Sequence, residues 1–104
     1  MTSPQFDSDG YLNRLDDWSE KVASEIAAQE NLQLTPEHWE IIMLTREFYG
    51  QHQLSPATRA LINFIKRELG PSKGTSRYLM KLFSGKPAKL VSKIAGLPKP
   101  DNCI

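Results

Sequence analysis

The sequence predicts a predominantly helical α+β domain that ends in an extended C-terminal arm. Three observations support this: an Asp-Gly turn between aromatic residues near the N-terminus, a series of helix start and stop signals, and a proline-rich tail without helical periodicity. The chain has 104 residues, the size of one small domain. We expect a helical domain over 1–96 and a mobile arm over 97–104.

The segment from Phe6 to Leu12 is typical of a short β-hairpin. Asp9-Gly10 lies between Phe6 and Tyr11, and such pairs favour the tight turn that joins two antiparallel strands. We therefore expect a small β-element at the N-terminus, with a short first strand.

A first helix is predicted after a capping box that begins at Asp17 and places Glu20 three residues later. Apolar side chains then recur at helical spacing to about Gln29. They are Trp18, Val22, Ala23, Ile26 and Ala27.

The next two helices share one start signal, a hydroxyl residue followed by proline. Thr35-Pro36 begins a helix that should end near Gly50, and Ser55-Pro56 begins one that should end at Gly70. One face of the first contains Trp39, Ile42, Met43, Arg46 and Tyr49, and the stripe of the second contains Ala57, Leu61, Ile62, Ile65 and Leu69.

Two shorter helices complete the predicted array. The first contains the apolar residues of 78–83 and stops before Gly85, and the second begins at Pro87 and closes at Gly96.

The tail beyond Gly96 contains Pro98 and Pro100, which favour an extended backbone. Fully extended, the steps from Gly96 to Cys103 span about 23 Å. The single cysteine of the sequence therefore lies near the end of a stiffened arm, where it is poorly placed for a core role.

Cys103 is the principal candidate for chemistry, although a thiol in a tail can also be incidental. The thiolate is the reactive form, which the nearby Lys99 favours and Asp101 opposes. Because no general base is adjacent, the pattern suits a carrier that is activated within its partners better than a self-contained hydrolase.

Other classes of protein are disfavoured by composition. One cysteine rules out an intramolecular disulfide, and one cysteine with two distant histidines disfavours a structural zinc site. No apolar run approaches the roughly 20 residues that span a bilayer. The N-terminus does not resemble a secretory signal, so we expect a cytoplasmic protein without a membrane partner.

The charge is strongly asymmetric along the chain. Residues 1–55 carry three basic and ten acidic side chains, a net charge of −7, and residues 56–104 carry ten basic and two acidic ones, a net charge of +8. Two interpretations are open: the C-terminal half presents a basic surface to an acidic partner, a nucleic acid or an anion, or the two halves pack with complementary charge.

The remaining candidates are weaker. His38 follows the Thr35 cap and is expected to pack or cap, and His52 is expected in a solvated loop. The second and third helices also permit a helix-turn-helix DNA reader that uses Arg59 and Lys66, although a simple antiparallel helix pair is the commoner arrangement.

From about Asp7 to Ile104 the chain resembles the TusE/DsrC family of sulfur-relay proteins, which includes the gamma subunit of dissimilatory sulfite reductase. The resemblance rests on short segments, of which the last is highly specific: DGYL at 9–12, LTPEHWE at 34–40, REFY at 46–49, SPATR at 55–59, SRYL at 76–79 and KIAGLPKPDNCI at 93–104.

The resemblance implies a small β-meander packed on about five helices, with a swinging arm whose penultimate cysteine, Cys103, carries sulfur without a cofactor or metal. Ser92 stands where the DsrC branch has a second arm cysteine, so the chain is more similar to the single-cysteine TusE branch. The implied role is that of a sulfurtransferase acting as a persulfide carrier in a relay rather than as a stand-alone enzyme.

The implied partners are a TusBCD-type sulfur donor and the tRNA 2-thiouridylase with its bound tRNA, whose wobble uridine becomes 2-thiouridine. A DsrC-like partner of dissimilatory sulfite reductase and a single-cysteine regulatory or DNA-binding paralogue are the alternatives.

Overall fold

The computed structural model describes residues 4–100 of the chain. Within that range the ordered elements are a 3₁₀ turn and five α-helices, and no strand is present. The helices are α1 (Glu20–Gln29), α2 (Pro36–His52), α3 (Thr58–Leu69), α4 (Ser76–Phe83) and α5 (Pro87–Ile94), and the 3₁₀ turn is Leu15–Asp17.

The predicted N-terminal hairpin, and the meander implied by the resemblance, are wrong for the described residues. Phe6 and Leu12 form one isolated antiparallel bridge, inside which Asp7 Oδ1 accepts the backbone N–H groups of Asp9 and Tyr11. Tyr11 and Leu12 are both buried, whereas successive residues of a strand point to opposite faces. The segment is therefore a compact turn pinned to the helices, and the class is all-helical rather than α+β.

Local signals predicted most of the helix ends. Thr35 caps α2 and Pro36 is its first residue, Gly70 follows α3, and α5 begins at Pro87. These signals succeed because each acts on the backbone within one turn of itself.

Two helices begin at other residues than their sequence signals predict. The N-cap of α1 is Ser19, whose hydroxyl accepts the N–H of Val22, and Asp17 belongs to the preceding 3₁₀ turn. The helix α3 begins at Thr58 after Ala57, without a side-chain cap, because the Ser55 hydroxyl is bonded elsewhere.

The helix α5 is the centre of the molecule, since it packs against all four other helices. Its core-facing residues are fully buried, and they meet apolar side chains from each neighbour. The largest members of this core are Ile26, Ile41, Ile42, Leu61, Ile65, Leu79, Phe83, Val91, Ile94 and Leu97. Because the arm follows α5 directly, its starting point is fixed by the best-packed helix of the fold.

Candidate functional site

Cys103, the predicted site residue, lies outside the described residues. The structure does describe the beginning of the arm, residues 96–100, which we call the arm root. The geometry of the arm root fixes the point from which the chain continues towards Cys103.

Gly96 turns the chain out of α5. Its φ of +74° is in the left-handed region, which glycine adopts without steric cost. A β-carbon at this position would overlap the indole of Trp18, with Cγ only 2.9 Å away. Gly96 is therefore required both by its backbone conformation and by the close approach of Trp18.

Trp18 and Arg46 bind the carbonyl groups at the end of α5. Trp18 Nε1 donates to the carbonyl of Ile94 at 2.9 Å, and Arg46 Nη1 donates to that of Ala95 at 2.6 Å. The guanidinium carbon lies 4.0 Å from the Trp18 ring centroid, a cation–π distance. These contacts satisfy carbonyls that a helix terminus leaves without an internal partner.

The partial burial of Arg46 has an electrostatic consequence. Desolvation lowers the pKa of its guanidinium from the ordinary value, because burial disfavours the charged form. An arginine remains protonated at neutral pH nonetheless. A fixed positive charge therefore lies at the C-terminal end of α5, where the helix dipole favours it.

The rest of the arm root lies against the helical body. Leu97 is buried and its N–H donates to the carbonyl of Ser92 at 2.9 Å. Ser55 Oγ donates to the carbonyl of Pro98 at 2.5 Å. Lys99 Nζ lies 3.8 Å from Asp9 Oδ2, with both side chains exposed, an arrangement that contributes little stability.

A groove of about 510 Å³ runs beside the arm root. Pro98 and Lys99 form one side of it, and Tyr49, Leu54 and Ala57 contribute to the other. Leu54 is 56% exposed, so the groove offers an apolar surface next to the point where the described chain ends.

Ser92, which by resemblance occupies the position of the second DsrC cysteine, is fully buried in α5. Its hydroxyl has no hydrogen-bond partner among the described residues. A buried side chain that nearly lacks solvent contact cannot serve as an accessible second sulfur site, and a hydroxyl does not form a disulfide.

The two histidines lie away from the arm root in structural roles. His38 is buried; its Nδ1 accepts the backbone N–H of Thr35 at 3.1 Å, and Nε2 lies 2.7 Å from the carbonyl of Leu82. These partners fix the tautomer with the proton on Nε2, which confirms the predicted capping and packing role. His52 is exposed as predicted, although it ends α2 rather than lying in a loop, and it packs on Phe48.

Three side chains bind backbone carbonyls at the end of α5 or in the arm root, and the sequence did not predict these contacts. The sequence pattern places Trp18 in the stripe of α1, Arg46 on the apolar face of α2 and Ser55 at a helix cap. Only Arg46 left a usable signal, because a cation on an apolar helix face indicates a buried partner. Met43, assigned to the same face, is 49% exposed.

Two kinds of feature are absent from the described range. No cluster of three or more potential metal-binding side chains occurs among residues 4–100. No helix in that range is long and apolar enough to cross a membrane.

Comparisons with known proteins agree on one family. The family model described as "DsrC like protein" matches residues 1–104. Proteins named Sulfurtransferase TusE are 49% identical in Buchnera aphidicola and 50% identical in Salmonella typhimurium, each over 98 residues, which is 94% of this chain and 86% and 90% of those proteins.

Solved structures give the same result for the fold. The NMR structure of Allochromatium vinosum DsrC has a TM-score of 0.88 at 46% identity, covering 97% of this chain and 90% of that one. The oxidised gamma subunit of the dissimilatory sulfite reductase from Archaeoglobus fulgidus has a TM-score of 0.82 at 36% identity, covering 97% and 92%.

Proposed function

This chain belongs to the family of DsrC-like proteins, and from that premise we propose that it is a sulfur carrier in a persulfide relay, with Cys103 as the carrier residue. The observation that carries the proposal is the similarity to TusE sulfurtransferases along 94% of the chain. Cys103 is the one cysteine in the sequence and therefore its one candidate thiol.

The proposed chemistry is a thiol exchange. The Cys103 thiolate attacks the outer sulfur of a donor persulfide, R–S–SH; the donor S–S bond breaks and the donor leaves as a thiolate. Cys103 retains the outer sulfur and its proton as a persulfide, Cys103–S–SH. The sulfane sulfur changes partners without net oxidation or reduction, so the step depends on thiolate fraction and access.

The proposed donor is a TusBCD-type complex, and the proposed acceptor is the tRNA 2-thiouridylase with its bound tRNA. The relay would operate in the cytoplasm, where thiols are kept reduced. On this proposal the protein transfers sulfur between enzymes and binds no cofactor of its own.

We propose that residues 97–104 act as the transferring arm and residues 1–96 as its base. The contacts of Pro98 and Lys99 with the body are one hydrogen bond and one exposed ion pair. Net contributions of such contacts are about 1 kcal/mol or less each. A partner that binds the arm can replace these two contacts at little cost, but it must also expose Pro100, which is buried. Gly96 and Leu97 remain fixed by packing.

Intact-mass spectrometry tests the carrier residue. After incubation with a cysteine desulfurase, cysteine and a TusBCD-type donor, the protein should gain the mass of one sulfur atom, which a thiol reductant removes. Cys103→Ser should gain none. Sulfur on the Cys103→Ser variant would contradict the assignment.

The similarity to DsrC structures favours a second candidate, a partner of dissimilatory sulfite reductase. With Ser92 in α5 and one cysteine in the sequence, an arm disulfide or trisulfide cannot form within the chain. Complementation separates the two roles: restored 2-thiouridine in tRNA of a TusE-deficient strain supports the first, and binding to sulfite reductase without restored thiolation supports the second.

A third candidate is a DNA-binding regulator. One observation supports it: Arg59 and Lys66 on α3 are exposed. It predicts salt-sensitive binding to duplex DNA that is lost in Arg59→Gln/Lys66→Gln. No binding at low salt would exclude it.

A further inference from the structure

A second cleft lies where α4 ends and α5 begins. Its volume is about 280 Å³, and four charged side chains line it: Glu30, Lys86, Lys89 and Lys93. The cleft carries more positive charge than its own carboxylate can neutralise, with three ammonium groups and one carboxylate. It plays no part in the sulfur-carrier proposal.

The three lysines lie along one side of α5 and its start. They are separated by three and four residues, the spacing that brings side chains together on one helix face. Like charges at this spacing repel each other and destabilise a helix. An anion bound between them removes that repulsion.

Lys93 is already engaged and held in place. Its Nζ lies 2.9 Å from Glu30 Oε1, and its side chain passes so close to Gly10 that a β-carbon there would lie 2.8 Å from Lys93 Cε. Lys86 and Lys89 make no ion pair with any residue in the range 4–100. Two cations of the cleft are thus available to a ligand, and the one carboxylate is occupied.

The rest of the lining adds a hydroxyl donor and an apolar wall. Ser84 has a φ of +57°, which ends α4 and turns the chain into the cleft lining. Its hydroxyl makes no hydrogen bond with another described residue. Phe83 is fully buried and forms part of the wall.

We propose that this cleft binds a phosphate group, with Lys86, Lys89 and Ser84 as its donors. Ammonium groups are donors without acceptor capacity, and a hydroxyl adds a neutral donor. Lysine binds phosphate as a compact point charge, and hydrogen bonds to a charged group are the stronger kind. The free ion and an RNA phosphodiester are two sources of this group, and both present negatively charged non-bridging oxygens to such donors.

An NMR titration of the ¹⁵N-labelled full chain with sodium phosphate tests the proposal, with sodium chloride at equal ionic strength as the reference. Phosphate should produce saturable shifts at the amides of Ser84, Lys86 and Lys89, and chloride should not. Lys86→Gln/Lys89→Gln should weaken phosphate binding by about tenfold or more. The matched double variant of two exposed cations in the acidic half, Arg14→Gln/Lys21→Gln, should leave it unchanged.

A second titration with a tRNA transcript identifies the source of the phosphate group. If RNA displaces phosphate from the same amides, the cleft binds an RNA phosphodiester; if phosphate binds and RNA does not displace it, the cleft binds the free ion. The proposal is overturned if neither probe produces saturable shifts at these amides. It is also overturned if the shifts are as strong in Lys86→Gln/Lys89→Gln.

Discussion

Gly96 shows how much of the arm's geometry depends on one residue. Its left-handed backbone and the indole of Trp18 both exclude a β-carbon. We expect Gly96→Ala to lower the free energy of unfolding by at least about 2 kcal/mol, from backbone strain and overpacking together. Urea unfolding followed by circular dichroism measures the change.

Gly85→Ala is the matched control for that substitution. Gly85 has no positive φ, and a β-carbon there would meet no atom within 4 Å, so the change should stay within about 0.5 kcal/mol. Equal destabilisation by both variants would show that the approach of Trp18 to Gly96 is not what restricts the position.

At the residue scale, the sequence singles out a candidate residue more readily than it predicts which groups a side chain will hydrogen-bond. Cys103 stands out because it is the one cysteine and follows two prolines, both of which are visible in the sequence; its role stays a prediction. Trp18 and Arg46 could not be assigned to the end of α5, since each is more than forty residues from the carbonyl that it binds. Contacts of that range depend on how helices pack, which no local pattern specifies.

At the scale of elements, Ser55 connects the start of α3 to the arm root. Its hydroxyl donates to the carbonyl of Pro98 rather than capping α3. We therefore expect Ser55→Ala to leave helical content unchanged and to cost about 1 kcal/mol. Amide exchange of Leu97 and Lys99, measured by NMR, should become faster because the arm root loses its hydrogen bond to the body.

The control for this substitution is Ser72→Ala, which changes the same side chain at an exposed site in the α3–α4 loop. It should alter neither helical content nor exchange at the arm root. Loss of α3 helicity in Ser55→Ala would instead favour the helix-cap role that the sequence indicated.

The element boundaries show where local information is sufficient. Thr35 and Pro87 set helix starts through their own backbone and side chain, and the sequence placed both correctly. The Asp9-Gly10 turn is real, but the burial of Tyr11 beside Leu12 prevents the alternation that a strand requires. Tertiary packing therefore prevents a strand in this segment, and the turn residues carry no information about that packing.

At the scale of the whole molecule, the structure supports complementary charge between the two halves, and it leaves part of the basic half exposed; a basic surface for a partner stays a prediction. Three ion pairs join the basic half to the acidic half: Lys73 with Glu40, Lys93 with Glu30 and Lys99 with Asp9. The hydrogen bond that Lys73 Nζ donates to Glu40 Oε1 raises the pKa of Lys73. Other cations of the basic half, among them Arg77 and Lys81 on α4, are exposed and make no ion pair with a described residue.

These unpaired cations should steer association with an acidic partner. If the proposed TusBCD-type donor binds this surface, raising the salt concentration from low to high should weaken binding by about tenfold or more, because exposed charges are screened. Arg77→Gln/Lys81→Gln should reduce both the affinity and its salt dependence. Calorimetric titration at several salt concentrations measures both.

Lys21→Gln provides the comparison, since it removes an exposed cation from the acidic half. It should leave donor binding and its salt dependence unchanged. Binding that is insensitive to salt, or equally weakened by Lys21→Gln, would contradict a role for the basic surface.

The packing of Trp18 against Gly96 also gives the protein an intrinsic optical reporter. The indole contacts the arm root, donates to Ile94 and lies beneath Arg46, so its fluorescence depends on all three. The sequence contains one other tryptophan, Trp39, and Trp39→Phe would leave a single emitter at the base of the arm. A partner that displaces the arm root as far as Gly96 should change the emission of that variant, whereas one that releases only the residues beyond Leu97, or binds elsewhere, should leave it unaltered. The protein itself can therefore report, in real time and without a label, whether arm engagement reaches the end of α5.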